Sequence, residues 1–201
     1  METKEKTNEK IIKILFKESF LDHTASSLAQ DIGISRQGVW KILNKLSKQN
    51  LIYSNSIANT KKSASNITLN LNNSITEKTL SLILEKEALN YERWRDNLNK
   101  LEKYVSFLIL FGSILHSPKE ANDIDILIVA KTKNEFKAIE KIILEIQQIQ
   151  LKRIHVIDLT KNEFKIELKN KNKAYIEALK KGVVLFGHDE FIKFIKELKK
   201  E

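Results

Sequence analysis

The residues best suited to carry chemistry in this 201-residue chain are Gly112-Ser113 and a pair of carboxylates, Asp123 and Asp125. Because side chains alternate between the faces of a strand, the two carboxylates are predicted to point the same way. They repel each other unless a cation lies between them, and such oxygen ligands suit Mg²⁺ or Mn²⁺ carrying a triphosphate. Gly112 lets the backbone approach phosphates, and Ser113 offers them an N–H group and a hydroxyl.

This arrangement resembles the nucleotidyltransferases of the DNA polymerase beta superfamily, particularly the minimal nucleotidyltransferases. Their pattern is an apolar residue, Gly, Gly or Ser, a spacer and Asp-x-Asp, and the resemblance runs from about Val105 to the end of the chain. It implies transfer of NMP from a nucleoside triphosphate, with ATP expected, to an acceptor hydroxyl, and Mg²⁺ or Mn²⁺ held by Asp123 and Asp125. The alternative is that the two carboxylates simply begin an ordinary strand.

A third catalytic residue is expected on the strand over 153–159. In many members of this family an acid lies there, ahead of a Thr-x-x-Glu-Phe-like stretch that begins here at Thr160. Counting back from Thr160 places His155 at that position. Asp158 is the only carboxylate on the strand, but it faces the other side unless a bulge intervenes. Three alternatives stay open: catalysis through Asp158, catalysis through His155, and no catalysis.

The elements that position these residues follow from apolar spacing. The predicted strands cover 105–111, 124–129, 153–159 and 183–186, and the predicted helices cover 134–147, 162–181 and 189–200. Helices alternating with short strands indicate a small mixed sheet covered by helices. The whole chain is predicted to be α+β.

A helix-turn-helix pattern occupies the N-terminal part of the chain. A first helix is predicted by apolar residues at helical spacing, namely Ile11, Ile12, Leu15 and Phe16. Thr24 is a good N-cap for a second helix over 25–31, which Gly33 can end in the left-handed conformation. Ser35 then caps a third helix over 36–49.

The third helix carries the residues expected to contact DNA. Its inward stripe is Val39, Ile42, Leu43 and Leu46. Gln and Asn side chains pair with adenine edges, and Lys pairs with guanine or phosphate. Short strands around 51–53 and 67–69, joined by a basic loop, predict a wing. The candidate DNA-binding residues are Ser35, Arg36, Gln37, Lys41, Asn44 and Lys48, with Lys61 and Lys62 in the loop.

This segment resembles winged helix-turn-helix regulators in Leu28-Ala29 and Gly33-Ile34-Ser35-Arg36, which implies double-stranded DNA as a partner. From Ile32 to Thr76 there is no Asp or Glu, and a stretch with one sign of charge indicates a polyanion partner. A winged domain that serves only protein contacts is the alternative. Trp40 is either a packing residue or a DNA contact.

The amino-acid composition limits the classes of partner, metal site and location that remain. The net charge of +9 favours an anionic partner, and the absence of cysteine excludes disulfides and thiolate zinc sites. No N-terminal segment has the order of a signal peptide, and the apolar runs are only strand-sized. We therefore expect a soluble, cytoplasmic protein without a membrane partner.

A long linker helix is predicted from Ser74 to about Lys103. Its apolar series could pair two subunits as a homodimer, or it could pack on the sheet of the second half. The predicted domains are a winged helix-turn-helix (1–72), the linker helix (73–103) and a nucleotidyltransferase-like domain (104–201).

Two functions follow. In the first, a DNA-binding protein transfers NMP to an unidentified acceptor, for which a protein is one candidate. In the second, a transcription regulator carries a catalytically weak or inactive nucleotidyltransferase-fold domain that senses nucleotide or binds a partner protein.

Overall fold

The computed structural model describes residues 6–56 and 65–199. The chain divides into two compact units, Met1–Ile83 and Leu84–Glu201. Helices come first and a mixed sheet follows, so the predicted α+β class is confirmed. Within the described ranges, no helix combines the length and the apolar character needed to cross a bilayer.

The first unit is a helix-turn-helix followed by a two-stranded hairpin. Its elements are α1 (Thr7–Lys17), α2 (Ala25–Ile32), α3 (Arg36–Lys48), β1 (Ile52–Ser56) and β2 (Ser65–Leu69). The strands are antiparallel, with Ile52 opposite Leu69. This is the predicted winged arrangement, although Lys61 and Lys62 lie outside the described residues.

Local signals set the boundary between α2 and α3. The Thr24 hydroxyl accepts a hydrogen bond from the Ser27 N–H, and the Ser27 hydroxyl accepts one from the Thr24 N–H, which closes a capping box. Gly33, with φ at 74°, ends α2 in the left-handed conformation. The Ser35 hydroxyl then accepts from the Gly38 N–H at 3.1 Å and caps α3.

The core of the first unit is formed by apolar side chains from its helices and its hairpin. The fully buried ones include Leu15, Phe16, Leu28, Val39, Leu46 and Ile67. Ile42 was predicted in the inward stripe of α3 but is only half-buried. The reason is its position at the edge of the stripe that Val39, Leu43 and Leu46 define on a helix with 3.6 residues per turn.

The predicted continuous helix from Ser74 to about Lys103 is wrong. The structure has α4 (Ser74–Leu89), α5 (Glu92–Leu98) and a 3₁₀ turn (Asn99–Leu101). At the break the N–H groups of Asn90 and Tyr91 donate to carbonyls three residues back, and Tyr91 leaves the helical conformation. The break lets α5 turn onto the sheet, where Trp94, Leu98 and Leu101 join the core.

The second unit is built on a mixed four-stranded sheet in the order β5-β4-β3-β6. Its strands are β3 (Val105–Phe111), β4 (Asp123–Ala130), β5 (Arg153–Leu159) and β6 (Val183–Phe186). β3 pairs antiparallel with β4 and with β6, whereas β4 pairs parallel with β5. All four strands were predicted to within one residue.

Four helices alternate with these strands along the chain. They are α6 (Phe136–Gln147) after β4, α7 (Lys161–Lys169) and α8 (Lys173–Lys181) after β5, and α9 (His188–Leu198) after β6. The predicted single helix over 162–181 is wrong, because α7 and α8 are separate. Lys171, with φ at 55°, takes a left-handed conformation that cannot continue a helix. The Asn172 side chain then accepts from the Ala174 N–H and starts α8.

Both faces of this sheet are covered. On one face, alternate residues of β3 and β4, such as Leu108, Leu110, Ile124 and Ile126, pack with residues of α5 and α6. On the other face an aromatic cluster forms around Phe107, whose ring centroid is 5.2 Å from that of Phe191. This burial fixes the strands, and through them the residues at their ends.

Candidate active site at the end of the central strand pair

The candidate site lies where β3 ends and β4 begins. Phe111 closes β3 directly opposite Asp125 in the antiparallel register, and Gly112 and Ser113 follow. Asp123 and Asp125 are half-buried, whereas the intervening Ile124 is 1% exposed. The two carboxylates therefore share one face of β4, as predicted from their spacing.

Gly112 is required by its conformation and by its surroundings. Its φ of 82° lies in the region that favours glycine. A Cβ atom at this position would overlap the Oδ2 end of the Asp125 carboxylate. The backbone turn and the carboxylate are consequently in direct contact.

The turn after Gly112 presents backbone donors. Ser113–Leu115 form a single 3₁₀ turn, and the Ser113 carbonyl accepts from the N–H groups of His116 at 3.0 Å and Ser117 at 2.8 Å. The first N–H groups of such a turn have no partner inside it. In the described part of the chain, those of Ser113 and Ile114 donate to no protein acceptor. Together with the exposed Ser113 hydroxyl, they suit an anionic oxygen.

His155 is brought to the carboxylates by the parallel pairing of β4 with β5. It is the register partner of Asp125, and its Nδ1 lies 3.1 Å from Asp125 Oδ1. The His155 side chain is 62% exposed and that of Asp125 is 18% exposed. One oxygen of Asp125 therefore contacts the imidazole, while the other faces Gly112.

The end of β5 is held by a capping box at the start of α7. The Glu163 carboxylate accepts from the Thr160 N–H and hydroxyl, both at 2.8 Å, and the Glu163 N–H donates to the Thr160 hydroxyl. The hydrogen bond from the Thr160 N–H, above all, lowers the pKa of Glu163. This contact fixes the strand-to-helix turn that follows His155.

Asp158 is not brought to the other carboxylates. Its register partner is Ile128, three residues beyond the partner of His155, so it lies about 10 Å further along the strand. An odd spacing also turns its exposed side chain to the opposite face of the sheet from that of His155. No bulge interrupts the register between them.

Arg153 is a residue that our sequence reasoning missed. It is exposed, it begins β5 as the register partner of Asp123, and it shares a strand face with His155. A guanidinium here suits phosphate oxygens. The only signal in the sequence was its spacing of two residues from His155, and that signal depends on knowing the register.

The two carboxylates of the site suit a metal ion that arrives bound to the phosphates of a substrate. In residues 6–56 and 65–199, no group of three or more His, Asp or Glu side chains could hold a metal ion. Mg²⁺, however, is commonly held by one or two carboxylates, with substrate phosphates and waters completing its shell. Asp123 and Asp125 can supply that share, whereas the imidazole of His155 is a poor ligand for so hard an ion.

The candidate DNA-binding residues on α3 lie on its exposed face. Exposed side chains belong to Ser35, Arg36, Gln37, Lys41, Asn44 and Lys48. The Ser35 hydroxyl is already engaged as the cap of α3. Trp40, which is 38% exposed, lies among them and is not part of the core.

Residues 96–191 match the family model described as "Polymerase beta, Nucleotidyltransferase". The matched segment contains β3 to β6, both carboxylates, the Gly112-Ser113 turn and His155. The second unit thus carries a nucleotidyltransferase domain of this family, which confirms the resemblance. Comparison with curated proteins finds no significant match.

Among solved structures, the adhesin competence repressor AdcR of Streptococcus pyogenes is 20% identical, with a TM-score of 0.37, over 48% of this chain and 66% of that chain. A variant of Lactococcus lactis ZitR is 19% identical, with a TM-score of 0.36, over 72% of this chain and 74% of that chain. Wild-type ZitR in complex with DNA is 27% identical, with a TM-score of 0.31, over 51% and 64%. This chain spans just under two thirds of AdcR.

Proposed function

We propose that this nucleotidyltransferase domain transfers NMP from a nucleoside triphosphate, with ATP expected, to an acceptor hydroxyl, for which a protein is one candidate. The observation that carries the proposal is the pair of half-buried carboxylates on β4, Asp123 and Asp125, placed against the Gly112-Ser113 turn. We further propose that the first unit binds double-stranded DNA.

In the proposed reaction the acceptor oxygen attacks the α-phosphorus. A bond forms between that oxygen and phosphorus while the bond to the bridging oxygen of the β-phosphate breaks, and pyrophosphate leaves. Asp123 and Asp125 would hold Mg²⁺ or Mn²⁺, which neutralises charge on the attacking and leaving oxygens. The N–H groups of Ser113 and Ile114 and the guanidinium of Arg153 would orient the phosphates.

His155 is the proposed acceptor of the hydroxyl proton. If Asp125 Oδ1 accepts a hydrogen bond from Nδ1–H, the other ring nitrogen, Nε2, is left unprotonated and can take the proton. Asp158, the other candidate, lies on the opposite face about 10 Å further along. The geometry therefore favours His155 for this role.

The DNA-binding proposal is supported by the outward face of α3. It presents cations and amides and no carboxylate, and no Asp or Glu occurs between Ile32 and Thr76. Amides can contact base edges, and Lys and Arg can neutralise phosphates. Lys61 and Lys62, outside the described residues, stay candidates for the same partner.

One observation favours the second function, a regulator whose domain binds nucleotide without turnover. No third carboxylate stands beside Asp123 and Asp125 among the described residues. Such a domain would still bind a triphosphate with its cation, because two carboxylates and the donors of the turn remain. Binding without transfer would identify it.

The deciding experiment incubates the protein with α-labelled nucleoside triphosphates, Mg²⁺ or Mn²⁺ and cell extract. We expect label on an acceptor with wild type and at least about 100-fold less with Asp125→Asn, because transition-state charge loses its counter-ion. Melting temperatures of the same purified proteins, without extract, are measured with and without ATP and Mg²⁺.

Asp158→Asn is the matched control, since it makes the same change on a neighbouring strand outside the site. Transfer by wild type that Asp125→Asn leaves unchanged would contradict the proposal. A nucleotide-dependent rise in melting temperature, lost in Asp125→Asn but without transfer by wild type under any condition, would instead support the regulator.

A further inference from the structure

A cavity of about 980 Å³ lies within the second unit, at the end of the sheet opposite to the candidate active site. It opens where β3 begins and just after β4 ends, whereas Gly112 and the two carboxylates lie where β3 ends and β4 begins. The length of β3 separates the two places by about 20 Å. The cavity is therefore distinct from the proposed transfer site, and its volume falls in the range of small-molecule pockets.

Lysine side chains set the charge of this cavity, which we call the lysine cavity. Its lining contains four lysines and three carboxylates: Lys100, Lys103, Lys131 and Lys141, with Glu102, Glu145 and Glu190. Two of the carboxylates are already paired. Glu145 binds Lys100 at 3.2 Å. Glu190 binds Lys161 and Lys193, both at 2.7 Å.

The other three lysines keep their charge uncompensated. Within the described residues, Lys103, Lys131 and Lys141 make no ion pair, and Glu102 is the one lining carboxylate without a cation. Lys131 Nζ donates to the Lys103 carbonyl at 2.7 Å, and Lys103 Nζ lies 4.8 Å from the centroid of the Tyr104 ring. A neutral carbonyl and a ring orient an ammonium group without neutralising it. The lysine cavity is consequently left with positive charge, which attracts an anion.

A buried hydroxyl group lines the same cavity. Ser106 is 8% exposed, and among the described residues its hydroxyl donates only to the Ala130 carbonyl, at 3.5 Å, the outer limit of a hydrogen bond. Ser106 is also the extra residue of a bulge, because Val105 pairs with Ala130 and Phe107 pairs with Val129. A bulge re-aims the side chain that it carries. This hydroxyl can therefore turn to a stronger acceptor in the cavity.

The first turn of α9 reaches the lysine cavity as well. Gly187 and Glu190 line it, and a Cβ atom at Gly187, whose φ is 77°, would overlap the Ser106 carbonyl. In the part of the chain that the structure describes, the N–H groups of His188, Asp189 and Glu190 donate to no protein acceptor. The Asp189 carboxylate is exposed and does not line the cavity. The partial positive charge of this helix end thus adds to that of the lysines.

The remaining wall of the lysine cavity is apolar. It is formed by Tyr104, Val105, Ala138 and Ile142. A lone inorganic ion would leave these side chains uncovered, whereas an anion with an apolar or aromatic body would contact both kinds of wall. The ligand that suits the cavity is therefore amphipathic.

We propose that the lysine cavity binds a small phosphate monoester with an apolar or aromatic body. The phosphate oxygens would accept hydrogen bonds from the Ser106 hydroxyl and from Lys141, and the body would pack on Tyr104 and Ile142. A phosphate is favoured over a carboxylate because it offers three acceptor oxygens to several donors at once. The inference does not rest on the proposed transfer reaction, because the two sites share no residue.

Phenyl phosphate, inorganic phosphate and phenol are the probes. Each is titrated into the purified protein by calorimetry, at low salt and without nucleotide or divalent cations. We expect phenyl phosphate to bind best and inorganic phosphate about tenfold more weakly, because the ion lacks the apolar body. The amide resonances of Ser106 and Gly187 should shift with the same Kd. Absence of binding by phenyl phosphate at millimolar concentration, or equal affinity for phenyl phosphate and either other probe, would overturn the proposal.

Lys141→Gln and Lys173→Gln form a matched pair, because both lysines are exposed and only Lys141 lines the lysine cavity. The Kd for phenyl phosphate should rise about fivefold in Lys141→Gln, from the loss of a charge-assisted hydrogen bond, and stay unchanged in Lys173→Gln. Ser106→Ala should raise the Kd about threefold, since a neutral hydrogen bond is weaker. Equal Kd values for the two lysine variants would contradict the proposal.

Arg153→Gln distinguishes the lysine cavity from the candidate active site. Arg153 is the guanidinium proposed to orient the phosphates of the nucleotide, and it does not line the cavity. We expect its replacement to leave the Kd for phenyl phosphate unchanged. Loss of binding in Arg153→Gln would place the phosphate at the candidate active site and reject the lysine cavity. The measurement needs no transfer of label, so its outcome is independent of whether the protein is an active transferase.

Discussion

The candidate DNA-binding surface and the candidate active site of this protein are assembled differently. The described DNA-binding candidates come from α3 and its cap, so their common direction follows from one helical period. The nucleotidyltransferase residues come from β4, from the turn after β3 and from β5, and they meet only because three strands pair in one register. A substitution on α3 should therefore remove only the contact of its own side chain with the ligand. A substitution in the active site should also disturb the residues that the paired strands place beside it.

His155→Gln should have the largest effect. It removes the proposed proton acceptor, and general-base catalysis of this kind contributes about 100-fold or more. We expect transfer, measured with labelled triphosphate under saturating conditions, to fall by about that factor while the KM for nucleotide changes little. Asp158→Asn should leave the rate unchanged. Loss of transfer in Asp158→Asn alone would mean that the strand register misidentifies the third residue.

A pair of glycine variants separates local strain from contact between segments. Gly33 and Gly112 both have positive φ, at 74° and 82°. A Cβ at Gly33 has no neighbouring atom within 4 Å, whereas one at Gly112 overlaps Asp125. Gly33→Ala should cost about 1–2 kcal/mol of unfolding free energy, and Gly112→Ala should cost about 2 kcal/mol more. Urea denaturation measures both, and equal costs would deny the close approach at Gly112.

Lys41→Glu tests whether the exposed face of α3 binds DNA. We expect binding of duplex DNA to weaken by about 1 kcal/mol or more, with a smaller dependence on salt, because one phosphate contact is lost. Lys10→Glu, on the exposed side of α1, makes the same change in charge away from α3. Fluorescence anisotropy at several salt concentrations distinguishes them. An equal loss in both variants would point to net charge instead of the α3 face.

The smallest effect is expected at Glu190, which joins α9 to α7. Hydrogen bonds from Lys161, above all, and from Lys193, both at 2.7 Å, lower its pKa from 4.5 to about 2. The ionised form is therefore stabilised by folding, and this contribution is present above pH 4.5 and lost as the pH falls toward about 2. Because Glu190 is 40% exposed, the effect is small.

Glu190→Gln should accordingly be slightly less stable than wild type at pH 6. The difference should shrink between pH 4.5 and about 2. Thermal unfolding of both proteins across this range is the measurement. A difference that does not depend on pH would show that the two lysine contacts act through packing.

Sequence patterns were sufficient to predict those features of the structure that neighbouring residues determine. Thr24, Gly33 and Ser35 specify the boundaries of α2 and α3 by themselves, and alternation along β4 places Asp123 and Asp125 on one face. The strands of the sheet were equally accessible, because each is a short apolar run.

Features that depend on tertiary contacts could not be predicted from these sequence patterns. The breaks at Asn90 and Lys171 interrupt segments with good helical spacing, and neither contains glycine or proline. The place of Arg153 beside Asp123 needs the β4–β5 register.

The sheet order has a consequence for motion in the site. Asp123 and Asp125 lie on a central strand, paired on both sides, whereas His155 lies on β5 at the edge of the four-stranded sheet. Edge strands open locally at a lower free-energy cost than strands paired on both sides. Amide hydrogen exchange should therefore be faster over β5 than over β4, and each such fluctuation would separate the imidazole from Asp125 while the two carboxylates stay in place. The free-energy cost of these openings would then set the fraction of time for which the complete set of residues is ready for a bound nucleotide.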